Sequence, residues 1–386
     1  MNRKTTLALL SLAAAYFAMG TTSLLVVAVS APLARDLQVS PAAVANLLTI
    51  FALTFAVAAP LAQVLFGQLQ RRLLLMAGLA VLSVATGLAA FVDGYWQLFA
   101  LRVAAGAGAA LVGPMASAIG AGLVRQEQQG RALALVFSGM MLATVLGVPL
   151  AAWLGGWLGW RWVFLIFGAA GLAATVSVAA MVHDRSHGAA VTLPGLLRVL
   201  TTRSTGMSVA ATLLQMAAQF ATYTLIVHFV MERMGGTQAW AVAILFAFGV
   251  GGLVGNVVAG SMADRLGPDR TIWTSFAGLA VVFALLLAAP PYAWIALALA
   301  IPWAVTGTMF QAPQQKRLVG LSPDARGLLL ACNASALYVG MAAGSFLAGV
   351  AYESLGIAVL PAISLGLMGA AALAFRRSRA ESGRRV

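Results

Sequence analysis

Ten carboxylates, three histidines and one cysteine are all the acid, imidazole and thiol groups in this 386-residue sequence. Their spacing supports little covalent chemistry. Asp36, Asp93, Glu232 and Glu353 fall at one set of ends of long apolar runs, Glu127, Asp184, Asp264, Asp269, Asp324 and Glu381 fall at the other, and none sits clearly in mid-run. An enzyme inside a membrane would need several such groups gathered at one depth, so the sequence argues against an enzyme. The lone Cys332 excludes an intrachain disulfide and a thiolate pair for a metal. Walker A, HExxH, GxSxG and CxxC patterns are absent, which leaves ATP-driven work and the common hydrolase chemistries without support, and no cofactor or metal is expected. Two titratable or charged groups do lie within apolar runs. His228, with an ordinary pKa near about 6.5, could exchange a proton near neutrality. Arg102 is an intramembrane cation, which costs roughly 2.5 to 3.5 kcal/mol at a helix centre, so it is expected to face the protein interior and serve a function. The alternative is an arginine that snorkels to the interface.

The elements that must position these groups follow from composition. Hydrophobic residues make up 62% and charged ones 9%, with a mean hydropathy of +0.95, against roughly 25% charged in soluble domains. Lipid must therefore be the main solvent. A spanning helix takes about 20 apolar residues, and cutting at charges, prolines and turn clusters predicts twelve: 6–31, 43–66, 73–92, 96–123, 132–155, 161–181, 205–231, 238–262, 271–289, 292–314, 327–350 and 356–375. The first run is about twice as long as a signal-peptide core and is read as a retained helix. Of the 23 lysines and arginines, Arg35, Arg161 and Arg233 lie on one side and Arg102 lies within a run, leaving 19 on the other side. That asymmetry places both termini, the long central loop and a basic C-terminal tail in the cytoplasm of a bacterial inner (plasma) membrane. The net charge of +13 is spread singly or in pairs, which suits anionic lipid and no nucleic acid.

The longest polar break, 182–204, falls near the chain midpoint. It reads as a cytoplasmic linker joining an N-terminal six-helix bundle, 1–181, to a C-terminal one, 205–386. A rough internal repeat supports the division: Arg71-Arg72 corresponds to Asp269-Arg270, and Gly147 to Gly344. Duplicated six-helix halves are a common transporter plan.

The most specific run is Gly260-Ser-Met-Ala-Asp264-Arg265-Leu-Gly267-Pro-Asp269-Arg270. Gly267 permits a tight turn, Asp264 can approach a helix N-terminus, and Arg265 and Arg270 can pair with carboxylates or helix carbonyls. Such a cluster can latch one conformation at the cytoplasmic face. It resembles the signature Gly-x-x-x-Asp-Arg-x-Gly-x-x-Arg of the major facilitator superfamily, found after helix 2 and again after helix 8. The first-half copy keeps Gly67, Arg71 and Arg72 without the aspartate. Arg102-Val-Ala-Ala-Gly106-Ala-Gly108 is similar to the family's Arg-x-x-x-Gly-x-Gly element, and Gly139-x7-Gly147-Val-Pro149, running on to Gly155-Gly156, resembles the motif of its efflux and antiport branches. Pro149 is expected to bend that span. Trp160-Arg161-Trp162-Val-Phe164 and, in the eleventh span, Asn333, Gly340, Gly344 and Gly349 extend the likeness. The closest group in appearance is the arabinose-efflux-permease-like branch of the drug:proton antiporters, though the glutamate that often follows Gly-Thr-Thr there is missing after Gly20-Thr21-Thr22.

The resemblance implies an all-α membrane protein of twelve helices in two pseudo-symmetric six-helix bundles. It also implies a monomeric secondary active transporter with alternating access, exporting a small molecule by antiport with protons. Cavity-lining positions implied by the resemblance are Met19, Ser23, Met115, Gln215, Gln219, Tyr223, Met309, Phe310 and Gln311. Their apolar and neutral polar character suits a neutral or amphipathic drug, sugar or metabolite. Proton sites would come from Arg102, His228 or Asp36. A facilitator, an importer of the same fold, a channel or a non-transporting receptor is the alternative.

Overall fold

The computed structural model describes residues 3–187, 203–321 and 326–382. Most of the expected linker, the loop carrying Asp324 and the end of the basic tail lie outside the described residues. The described chain is almost wholly helical: α1 Arg3–Ala28, α2 Ser30–Asp36, α3 Pro41–Phe66, α4 Arg71–Leu88, α5 Tyr95–Gly122, α6 Gln129–Leu142, α7 Val148–Trp157, α8 Trp160–Met181, α9 Arg203–Tyr223, α10 Ile226–His228, α11 Gln238–Arg265, α12 Pro268–Ala288, α13 Ala293–Thr308, α14 Gln311–Leu321, α15 Arg326–Leu355 and α16 Leu360–Ser382. Among the described residues the β structure amounts to an isolated antiparallel bridge between Gln70 and His187. Eleven segments are long and apolar enough to cross a bilayer, and a twelfth arises when Arg203–Tyr223 and Ile226–Arg233, bent by 42°, count as one span. Only helices of this kind, with every backbone group bonded internally, tolerate hydrocarbon.

The chain divides into two compact units, one of Met1–Ser40 with Ile50–Val191 and one of Pro41–Thr49 with Thr192–Val386. In the first, α1 is buried along most of its length and packs on α5, α6, α7 and α8, while α4 lies against α5 and α8. In the second, α9 lies against α15 and α16, and α11 packs on α13.

Close approach in the first unit follows a repeat in sequence. A side chain added at Gly139 would strike the carbonyl of Ala13, one at Gly147 would strike Thr21, and one at Gly155 would lie 2.7 Å from Val29. Glycines and partners alike are spaced by eight residues, so the fifth span rides on α1 with its backbone nearly touching. In the second unit Gly344 of α15 is pressed in the same way on the carbonyl of Ala217.

Three expected spans are not continuous. In the fifth, a π-helical turn at Ala143–Gly147 separates α6 from α7. Pro149 sits in the first turn of α7, where its missing N–H costs little. The irregularity expected of Pro149 therefore lies one turn earlier, at a π turn that no proline marks. The expected span 205–231 breaks at Thr224–Leu225 and ends in a second π turn, Phe229–Arg233. The expected span 292–314 stops at Thr308 and restarts at Gln311. Pro313 accounts for that break, because it offers no N–H to the carbonyl of Met309 four residues earlier and its ring crowds that carbonyl.

Candidate functional site

Arg102 lies on α5 two turns from its start and is 2% exposed. Its guanidinium is enclosed within the protein. Nη1 donates to the carbonyl of Thr22 at 3.0 Å and Nη2 to that of Ser23 at 3.2 Å, and the group lies 4.3 Å from the centre of the Phe51 ring. A planar fork suits two successive carbonyls of α1, and the ring face covers the cation. Nearby on the same α1–α5 seam, Tyr16 Oη donates to the carbonyl of Gly113 at 2.9 Å and shares a 2.7 Å bond with Ser117. Met19 packs toward Gly113, while Ser23 and Met115 are buried, Ser23 with its hydroxyl turned back on the carbonyl of Gly20. Thr21, which the sequence reading left out, holds a buried hydroxyl against Gly147 in the π turn.

In the second unit Gln215, Gln219 and Tyr223 recur every four residues on one face of α9, all buried. Gln215 Nε2 donates to the carbonyl of Gly307 at 3.3 Å, and Ser275 Oγ donates to that of Thr306 at 2.6 Å. These carbonyls belong to the last turn of α13, where no further helical donor follows. The break in the tenth span is thus satisfied by side chains from α9 and α12. Tyr223 packs against Phe248 with ring centres 4.6 Å apart and meets Trp303 edge-on at 6.2 Å. Of the remaining expected cavity residues, Met309 lies at the break and Gln311 opens α14 with Nε2 3.5 Å from Met216 Sδ. Phe310 is fully enclosed and stacked on Phe276, so it serves the core of this unit. His228, expected near the interface, is buried at the end of α10.

The inner rim of the second unit separates two roles that the signature run had merged. Asp264 pairs with Lys316 at 2.8 Å, but its side chain is 76% exposed, so the pair at this position of the signature lies open at the surface. Arg265 and Arg270 are exposed as well, each at the end or start of a helix where the side chain projects outward, and neither pairs with a described carboxylate. Gly267, at φ +83°, makes the turn into α12, a backbone state open chiefly to glycine. The enclosed pair is Asp269 with Arg317. Arg317 Nε reaches Asp269 Oδ1 at 3.1 Å, Nη1 donates to Ser208 Oγ at 2.7 Å, and the guanidinium lies over Phe375 at 4.8 Å. Arg379 Nε closes on Asp269 Oδ2 at 2.7 Å. One turn back on α14, Gln314 Nε2 bonds the carbonyl of Ser208 at 2.7 Å and Thr212 Oγ1 at 3.0 Å, and Thr212 donates to Asn333 Oδ1 at 2.7 Å. A continuous polar network thus ties α14 to α9, α12, α15 and α16. Asp269 holds a variable position of the signature and Arg317 lies 48 residues further on by numbering, so no local motif marked the pair.

In the first unit Gly67 lies in the turn after α3, and Arg71 and Arg72 open α4. The end of α8 and the start of the linker approach this turn. Arg71 N donates to the carbonyl of Ser186 at 3.1 Å, Gln70 Nε2 to that of Asp184 at 3.3 Å, and Arg72 Nη2 to that of Ala179 at 2.6 Å.

At the opposite rim Asp36 Oδ2 accepts from Trp160 Nε1 at 2.8 Å and from Arg161 Nη1, while Arg161 Nη2 donates to the carbonyl of Val92 at 3.2 Å. Asp36 had been a possible proton site. The indole and guanidinium bonds hold its carboxyl below the usual carboxylate range, so at neutral pH it is an ionised clasp. A depressed folded-state pKa contributes stability present above the unfolded value, about 3.9, and lost as pH falls through the folded value. The melting temperature of Asp36→Asn should accordingly lie below that of the parent chain at pH 7, and the gap should close in acid beneath the carboxylate range. A gap that persists there would assign Asp36 a role independent of its charge.

The family model described as Major Facilitator Superfamily matches residues 10–314 and 207–385. The MFS-type transporter YbcL of Bacillus subtilis is 28% identical over 359 residues, 92% of each chain, and the inner membrane transport protein YdhP of Escherichia coli is 29% identical over 369 residues, 95% of this chain and 94% of the relative. A chloramphenicol resistance protein of Streptomyces lividans is 34% identical over 258 residues, 66% of each chain. In architecture the chain is similar to a bacterial homologue of the human lysosomal transporter Spinster in an inward-facing, occupied conformation, with a TM-score of 0.72 and 15% identity over 99% of this chain and 94% of that one. The family match spans nearly the whole helical array in which Arg102 and the two rims are set, and this chain is a multi-pass membrane transporter of the major facilitator superfamily.

Proposed function

We propose that the chain exports a small neutral or amphipathic molecule in exchange for protons, by alternating access of two six-helix bundles, 1–181 and 205–386, joined by the 182–204 linker. The termini are cytoplasmic and the working unit is a monomer in this reading. The observation that carries the substrate class is the stripe of Gln215, Gln219 and Tyr223 beside Phe248 and Trp303, which offers amides and ring faces with no formal charge. The similarity to a chloramphenicol resistance protein supports the direction. For the proton, Arg102 is the charged group enclosed among the spans of the first unit, and it would act by organising water or a polar substrate group at the Thr22–Ser23 carbonyls. His228 is the second candidate. Signature positions Gly67, Arg71, Arg72, Gly260, Asp264, Arg265, Gly267 and Arg270, with Gly139, Gly147 and Pro149, serve the conformational cycle in this reading.

The test is flux in proteoliposomes. Chloramphenicol and a panel of neutral amphipaths should be driven by an imposed pH gradient, and Tyr223→Ala should weaken transport of aromatic members most. Flux indifferent to the gradient would favour a facilitator, and no flux under any gradient would favour a receptor.

A further inference from the structure

Where α2 ends and α8 begins, the first unit holds a groove of about 620 Å³ whose lining includes Pro32, Arg35, Asp36, Trp160, Arg161 and Trp162. Its depth is fixed by its neighbours: the first span ends at Ala28, the fifth at Trp157, and the sixth begins at Trp160. It therefore opens where hydrocarbon gives way to headgroups. Trp96, Trp153, Trp157 and Trp162 are all exposed near this rim, the composition of an interfacial aromatic belt.

The charges in the groove are unequally used. Arg161 is committed, bonded to Asp36 and Val92 and lying 4.4 Å from the Trp160 ring centre. Arg35 is exposed, and its guanidinium makes no hydrogen bond or ion pair with a described residue. Both contacts to Asp36 fall on Oδ2, leaving Oδ1 without a described donor. A cation and an acceptor oxygen thus stand on adjacent residues at headgroup depth.

We propose that this groove binds the headgroup of a phosphatidylethanolamine molecule, with its phosphodiester on Arg35, its primary ammonium on Asp36 Oδ1 and its glycerol end against Trp162. Guanidinium forks match phosphate oxygens. The ammonium supplies the N–H donors that Asp36 lacks on that oxygen. Phosphatidylglycerol would set a net anion beside the carboxylate, and the quaternary ammonium of phosphatidylcholine has no N–H to donate. The leaflet concerned is the outer one under the orientation proposed above. The lipid would anchor α2 and the start of α8 to the membrane surface without entering the transport path.

The test is native mass spectrometry of the purified full chain titrated with phosphatidylethanolamine, phosphatidylglycerol and phosphatidylcholine of equal acyl length, and with water-soluble phosphoethanolamine. Phosphatidylethanolamine should be retained about tenfold more tightly than either other lipid, the scale of one charged hydrogen bond. Arg35→Gln removes no contact within the protein and should weaken retention of all three lipids, phosphatidylethanolamine included, by about tenfold, whereas Arg35→Lys should keep part of it. Equal retention of the three lipids by the parent chain, tighter binding of phosphatidylglycerol, or undiminished retention of phosphatidylethanolamine by Arg35→Gln would overturn the proposal. So would phosphoethanolamine binding as tightly as the lipid, because the occupant would then be a soluble phosphate ester.

Discussion

Asp269→Asn should damage the inner end of the second unit severely, while Asp264→Asn should leave it nearly intact. The two aspartates lie five positions apart by numbering, and a motif would rank Asp264 higher. Burial reverses that order. The Arg317 side chain is 6% exposed and Asp269 33%, against 55% and 76% for Lys316 and Asp264. Removing one partner of a fully buried ion pair costs roughly 3 to 5 kcal/mol because the other charge stays enclosed. Solvent at Asp269 reduces this to about 2 to 3 kcal/mol, or about 5 to 10 °C in melting temperature for a unit of this size. Loss of the carboxylate also frees Arg379, and the polar network then ties α14 through the bonds of Gln314 and Arg317 to α9. Thermal melting of the two variants in the same detergent, paired with flux at matched membrane abundance, checks the claim. Equal melting temperatures would show that the buried network is not what holds the inner half of the tenth span.

The second large effect is expected at Arg102. Arg102→Ala and Arg102→Lys should both lose most gradient-driven transport while the protein still inserts. Lysine keeps the charge but offers a point-like ammonium that cannot bond the Thr22 and Ser23 carbonyls as a planar fork while lying flat on Phe51. Losing one charged hydrogen bond of about 1.5 to 3 kcal/mol corresponds to roughly a tenfold to hundredfold fall in rate if the bond persists at the top of the barrier. Flux near the parental level in the lysine form would confine Arg102 to packing.

The helical architecture was legible because lipid imposes a strict rule on composition. Twenty apolar residues between charges admit one structure, and turn residues such as Gly267-Pro268 mark where it reverses. The seam of Gly139 with Ala13 and Gly147 with Thr21 was half legible: the glycines were visible in sequence, but the α1 positions they meet were not. Local pattern failed at the breaks. Nothing at Thr224–Leu225 distinguishes it from its flanks, because that bend is decided by the packing of neighbouring spans. Within the site, Arg102 stood out as a charge among apolar residues, whereas Arg317 was hidden among other basic residues at a span end. Its importance comes from being enclosed by Ser208, Asp269 and Phe375, contacts that cross three helices and leave no periodic trace.

The freed carbonyls of Thr306 and Gly307 bear on how the chain is made. A tenth span leaving the ribosome alone would carry unsatisfied backbone acceptors into hydrocarbon, each costing several kcal/mol. The groups that bond them, Ser275 and Gln215, belong to segments synthesised earlier. The same order holds for Arg102, whose carbonyl partners at Thr22 and Ser23 and whose ring partner Phe51 all precede it in the chain. In both cases the partners belong to helices already in the membrane. Vectorial synthesis from the N-terminus can therefore insert these two segments against a prepared surface, and a rearranged chain that began at the second unit would deny Arg102 nothing but would have to be cut so that α9 and α12 still precede α13.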